Sequence, residues 1–164
     1  MCAAPISPKR GIPSWLGLFF WILLSFGPAA LGAVFTPGTW YAGLNKPSWT
    51  PPGWVFGPVW TALYFMMAVA AWRVWQHGGF GAQRRPLTCF IGQLVLNAAW
   101  TPLFFGLHLP AAAFGVLLLL WGTIMLTMIG FFRVSRFAGW LLAPYLAWAS
   151  YAAALNFAIW RLNP

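Results

Sequence analysis

Five stretches of this sequence are apolar, free of acidic side chains and long enough to cross the hydrocarbon core of a bilayer, which takes about 20 residues at roughly 1.5 Å each. They run from Ser14 to Val34, Gly53 to Trp75, Leu87 to Leu107, Ala111 to Phe132 and Phe137 to Leu162. In lipid a helix satisfies its backbone polar groups within its own segment, so five such runs predict an all-α membrane protein. The expected architecture is one domain over residues 1–164, a bundle of five transmembrane helices with a long structured first loop. Composition agrees: with 62% hydrophobic and 5% charged residues, too little polar surface exists to coat a soluble globule. Pro28, Pro58, Pro102 and Pro144 lie inside the runs and predict kinks, since neighbouring helices can re-satisfy the carbonyls that proline frees. Trp15, Trp54, Trp72, Trp75 and Trp140 fall near the ends and read as an interfacial belt.

The chain holds nine Lys or Arg and no Asp or Glu. Without carboxylates there is no acid pair for glycoside hydrolysis, no hard-cation site and no carboxylate proton relay. Nucleic acid is not the expected partner of the positive charge, because the cations sit at helix ends and in loops and form no basic helix face. Membrane lipid is. Lys9, Arg10, Arg73, Arg84, Arg85, Arg133 and Arg136 fall on one side of the bilayer and only Lys46 and Arg161 on the other. The positive-inside rule then predicts a multi-pass protein with its N-terminus in the cytoplasm and its first loop and C-terminus outside. Met1 to Ile12 precedes a run too long and too aromatic for a signal peptide. Cys2 and Cys89 suggest neither a disulfide nor a thiolate metal site, and no metal is expected. His77 and His108, at or beyond span ends, read as solvated imidazoles and not as axial haem ligands.

The loop from Phe35 to Pro52 is neither short nor polar. Trp40, Tyr41, Leu44 and Trp49 are too apolar for a solvated connector, while Pro37, Pro47, Pro51 and Pro52 lower the cost of ordering it. It reads as a lid over a binding site, or as an aromatic loop resting at the headgroup level. Polar side chains within the spans mark three helix faces. Gln93, Asn97 and Trp100 share one, Tyr145, Trp148, Ala152 and Asn156 another, and Trp60 with Tyr64 a third. The amides could equally be interhelical glue, and the aromatic pairs core packing. Taken together, aromatic walls with a few amides and no charge describe a pocket for a flat hydrophobic ligand such as a macrocycle, a sterol or a polyaromatic molecule.

Four segments are more specific: WYAGLNKPSWTPPGWVFGPVWTALY (Trp40 to Tyr64), GQLVLNAAWTPLFFG (Gly92 to Gly106), PYLAW (Pro144 to Trp148) and LNFAIWRLN (Leu155 to Asn163). In these the chain resembles the tryptophan-rich sensory protein and translocator protein family, also called the peripheral-type benzodiazepine receptor, from the first span to the end. The resemblance implies a five-helix fold, usually dimeric, in a bacterial cell membrane. It also implies a pocket under the first loop for porphyrin, haem, cholesterol or synthetic ligands, with no obligatory cofactor. Carried over residue by residue, it implies ligand contacts from Trp40, Pro47, Trp60, Tyr64, Asn97, Trp100, Tyr145, Trp148 and Ala152. It further implies that Trp60 and Trp148 take part in light-dependent porphyrin breakdown, where an indole can exchange an electron with an excited macrocycle. The family's sterol segment maps onto Leu155, Phe157 and Arg161, with Phe157 standing where the family has a tyrosine. Phenylalanine keeps the ring and loses the hydroxyl, which weakens the sterol assignment.

The leading reading is a tetrapyrrole-binding membrane receptor or regulator. A porphyrin or sterol transporter is the second, although no inverted repeat supports alternating access. A porphyrin-degrading enzyme is the third, without any conventional catalytic constellation. A homodimer is expected, and Thr88 and Gly92, four residues apart on the third span, offer the small surface through which helices approach closely.

Overall fold

The computed structural model describes residues 13–164; Cys2, Lys9, Arg10 and the rest of Met1 to Ile12 lie outside the described residues. Each apolar run folds as helix. The first span is α1 (Ser14–Val34), and the loop after it contains a short helix, α2 (Thr39–Gly43). A 3-10 turn at Gly53–Val55 leads into α3 (Phe56–Trp75), the second span. A short α4 (Gly79–Ala82) precedes α5 (Arg84–Thr101), which continues as a π-helical turn over Pro102–Gly106 to complete the third span. The fourth is α6 (Pro110–Val134), and the fifth is divided into α7 (Arg136–Leu141) and α8 (Ala143–Leu162). All five are long and apolar enough to cross a membrane.

The prolines act at element boundaries more than as kinks. Pro58 and Pro144 sit in the first turns of α3 and α8, where the missing N–H has no partner to lose, and only Pro28 lies deep within a helix. The fifth run therefore breaks ahead of Pro144, with Leu142 N closing a tight turn onto Gly139 O at 3.1 Å. Pro102 cannot donate to the carbonyl one turn back, and the helix there widens so that Leu107 N reaches Pro102 O at 2.8 Å.

The helices form a ring. α1 packs on α3 and α5, α5 on α6, α6 on α7 and α8, and α7 returns to α3. Ala68, Ala70 and Ala71 are fully buried on α3 and keep its neighbours close, while Phe19, Leu23, Val95 and Leu126 are exposed, as lipid-facing side chains should be. Gly17 leaves room for the Trp75 ring, which an added Cβ would meet. Trp75 is thus a packing residue, and Trp72 is tied by its indole N–H to Ser14 O at 2.9 Å. Of the expected interfacial tryptophans, Trp15, Trp54 and Trp140 are the strongly exposed ones. Gly92 faces α6, where a Cβ on it would lie in ordinary contact, 4.0 Å from Thr123 Cγ2.

Candidate ligand-binding site

Because α3 closes the ring mainly through α7, the second and fifth spans are bridged farther along by large side chains. Trp60 lies edge-on to Tyr145 at 6.2 Å, and Phe56 edge-on to Trp148 at 5.8 Å. Between them is a cavity of about 440 Å³, enclosed by α3, α5, α6, α8 and the first loop. That volume falls within the usual range for small-molecule sites.

The floor rests on a buried hydrogen-bonded triad. Tyr64 Oη donates to Asn97 Oδ1 at 3.0 Å, and Asn97 Nδ2 donates to Tyr145 Oη at 3.0 Å, joining α3, α5 and α8. Trp60 stacks on Tyr64 with centroids 5.2 Å apart and covers it. Of the three polar groups only Asn97 reaches the cavity lining. Trp100 forms a wall, stacked on Phe104 at 5.2 Å, with its N–H donated to Asn156 Oδ1 at 3.0 Å. The π-turn brings Phe104 and Phe105 to the cavity, and Gly106 at its end leaves space for the Phe35 ring. Ala152, small and on the same face of α8 as Trp148, keeps the opposite wall shallow.

The first loop closes the top. Asn163 clasps it, accepting from Asn45 N at 2.9 Å and donating to Asn45 O at 2.9 Å. Tyr151 Oη donates to Trp49 O at 2.8 Å, and Trp40 stacks on His108 at 4.2 Å. Thr50 bonds twice to Pro47 O, from N at 3.0 Å and from Oγ1 at 2.8 Å, a turn that presents Thr50 and Pro51 to the cavity. Lys46 also lines it, with Nζ 3.1 Å from Leu44 O, 3.2 Å from Ala42 O and 4.7 Å from the centre of the Tyr41 ring. Among the described residues it is the one charged side chain in the lining. Burial, and behind it the neighbouring Tyr151, push the Tyr41 phenol up from its ordinary pKa, so that ring stays neutral.

Of the residues expected at the site, Trp60, Asn97, Trp100, Trp148, Ala152 and Leu155 line the cavity. Tyr64 and Tyr145 lie beneath it and position Asn97, while Trp40 and Pro47 shape the lid from outside the lining. Phe157 points away, 44% exposed and packed on Phe114 and Trp160, and Arg161 is exposed, so Leu155, Phe157 and Arg161 do not share one surface. Sequence reasoning missed Tyr151, Phe104 and Lys46 as lining. The first two stand three and four residues beyond Trp148 and Trp100, a helical spacing that marks them. Pro51, Trp148 and Tyr151 also line a second, shallower apolar groove bounded by Val55, Val59, Leu63, Pro144 and Ala147.

A five-span helical bundle with a lidded aromatic cavity defines a polytopic membrane protein built around an intramembrane cavity. Comparison with known proteins agrees. The TspO/MBR family pattern matches residues 15–161, and the chain belongs to that family. It is 46% identical over 147 residues to a tryptophan-rich sensory protein of Cereibacter sphaeroides, covering 89% of this chain and 91% of the relative. It is 42% identical over 156 residues to the translocator protein of Homo sapiens, covering 92% of each. The tryptophan-rich protein TspO of Chlorobaculum tepidum is 44% identical over 156 residues, covering 91% of this chain and 96% of the relative.

Proposed function

We propose that this protein is a membrane receptor or regulator that binds tetrapyrroles, protoporphyrin or haem, and other flat hydrophobic ligands in the cavity under its first loop. The observation that carries this is the cavity itself: about 440 Å³, walled by Phe56, Trp60, Trp100, Phe104 and Trp148, with faces suited to stacking against a planar ring system. Membership of a family whose relatives are named sensory and translocator proteins supports a ligand-responsive role. The proposal places the N-terminus in the cytoplasm of a bacterial cell, the lid outside, and two copies in a homodimer. The charge distribution supports the orientation, because Arg73, Arg84, Arg85, Arg133 and Arg136 all lie at the membrane end opposite the lid.

One observation favours transport as a second reading. Among the described residues Pro51, Trp148 and Tyr151 line both the cavity and the second groove, a shared wall through which a porphyrin or sterol could pass sideways between bilayer and site. Porphyrin degradation under light is the third, with Trp60 and Trp148 in the lining as the electron-exchanging indoles. The test is titration of the purified protein with protoporphyrin by tryptophan fluorescence quenching, followed by illumination of the same sample. Saturable quenching at one ligand per chain is expected. Quenching that rises without saturation, as from partition into detergent, would sink the receptor reading.

A further inference from the structure

A cavity that stacks flat rings has no inherent preference for charge, yet among the described residues a single cation is built into this one. Lys46 comes from the lid and is half-buried at the cavity edge. The chain contains no Asp or Glu that could neutralise it, and the nearest titratable ring, Tyr41, remains a neutral phenol. An ammonium has three N–H donors. Ala42 O and Leu44 O take two, and the Tyr41 ring supplies a cation-π contact. These contacts orient the head without cancelling its charge. One donor and a full positive charge remain at the rim of a water-poor, aromatic space, where a charge-assisted hydrogen bond is worth more than in water.

We propose that Lys46 is a specificity residue that selects ligands carrying a carboxylate on the edge of a flat apolar body, over neutral ligands of the same shape. The inference rests on the reading of the cavity as a site for flat hydrophobic ligands, and names the chemical class it prefers. The ring system stacks between the tryptophan walls while the carboxylate meets Lys46 under the lid. A neutral analogue gains the same stacking and leaves the ammonium without an anion. A purely structural Lys46 is the competing account, since its Nζ also bonds two carbonyls at the C-terminal end of α2. The two accounts differ in one respect: loosening the lid weakens every ligand, whereas losing the anion partner weakens only anionic ones.

The experiment uses matched probes that differ only in charge: protoporphyrin IX with its dimethyl ester, and pyrenebutyrate with its methyl ester. Affinities are measured for the full chain in zwitterionic nanodiscs, for wild type, Lys46→Gln, Lys46→Arg and the lid variant Asn163→Ala. The quantity read is each variant's change relative to wild type for the same probe, which cancels differences in partition. Lys46→Gln should weaken both acids about tenfold, the scale of one charge-assisted hydrogen bond, and the esters by less than about twofold. Lys46→Arg should restore acid binding, and Asn163→Ala should shift acid and ester alike. Equal losses for acid and ester in Lys46→Gln, or no loss for either, would overturn the inference while the cavity reading stands. Charge-selective loss with the pyrene pair alone, when neither porphyrin binds, supports Lys46 and removes the tetrapyrrole assignment. If no probe binds wild type, both fall together.

Discussion

Trp100 and Asn156 join the third span to the fifth through one hydrogen bond of 3.0 Å from indole N–H to amide oxygen. Asn156 extends the link to the fourth span by donating to Pro110 O at 2.7 Å. Three spans therefore meet at one amide on the cavity wall. Hydrogen bonds between membrane helices contribute about 0.6 kcal/mol each on average, and Asn156→Leu deletes two while leaving the Trp100 N–H unpaired. A loss of about 1 to 2 kcal/mol is expected. Reversible unfolding in mixed micelles measures it, and an unchanged midpoint would show these bonds to be energetically idle.

The lid is tied down by Asn163 to Asn45 and by Tyr151 to Trp49. Asn163→Ala and Tyr151→Phe each remove such a tie without touching the apolar floor. Amide exchange in residues 44–52 should accelerate in both variants, and ligand release should quicken by about three- to tenfold, the scale of one or two lost hydrogen bonds. Trp40→Ala should act the same way, because its ring anchors the loop on His108 and stands outside the lining. Exchange confined to wild-type rates would mean that proline stiffness alone holds the loop closed.

The fold was legible because helix spans announce themselves by length and hydropathy, and the five helices fall on the five apolar runs. The faces were legible for a related reason: amides and indoles avoid lipid, so the spacing of Asn97 and Trp100, or of Trp148 and Ala152, marks what points inward. Spacing cannot say which inward residue meets the cavity and which lies under it. Tyr64 and Tyr145 share faces with Trp60 and Trp148, yet they spend their hydroxyls on Asn97. Nor does a pattern of period 3.6 reveal the π-turn after Pro102, which brings Phe105 onto the cavity beside Phe104. The loop follows no period at all, so Lys46 reached the site without a signal beyond its place in the KPSWTPP run.

Orientation has a direct check. Reporter fusions after Gln76 to Pro86 should report cytoplasm, and fusions at the C-terminus the opposite side, as the concentration of Arg at one end requires. Labelling of a residue introduced beside Arg84 by an impermeant reagent on intact cells would reverse the assignment and move the lid into the cytoplasm.

Trp60 and Trp148 should govern the fate of a bound porphyrin more than its affinity. Both line the cavity, and each has an aromatic neighbour: Trp60 stacked on Tyr64 at 5.2 Å, Trp148 tilted against Tyr151 at 5.6 Å. Replacing either indole with Phe keeps most of the apolar contact, so binding should weaken by no more than about 1 to 2 kcal/mol, roughly one aromatic interaction. Phenylalanine is much harder to oxidise than tryptophan, so light-dependent loss of the porphyrin should fall much further than binding does. Each variant needs two measurements at matched occupancy: affinity in the dark, and disappearance of the porphyrin absorbance under illumination with oxygen present. Equal photodegradation by wild type and by the Trp60→Phe, Trp148→Phe double variant would reduce both residues to pocket lining. The breakdown would then belong to the free photochemistry of the porphyrin, and the protein's part would be to bind it.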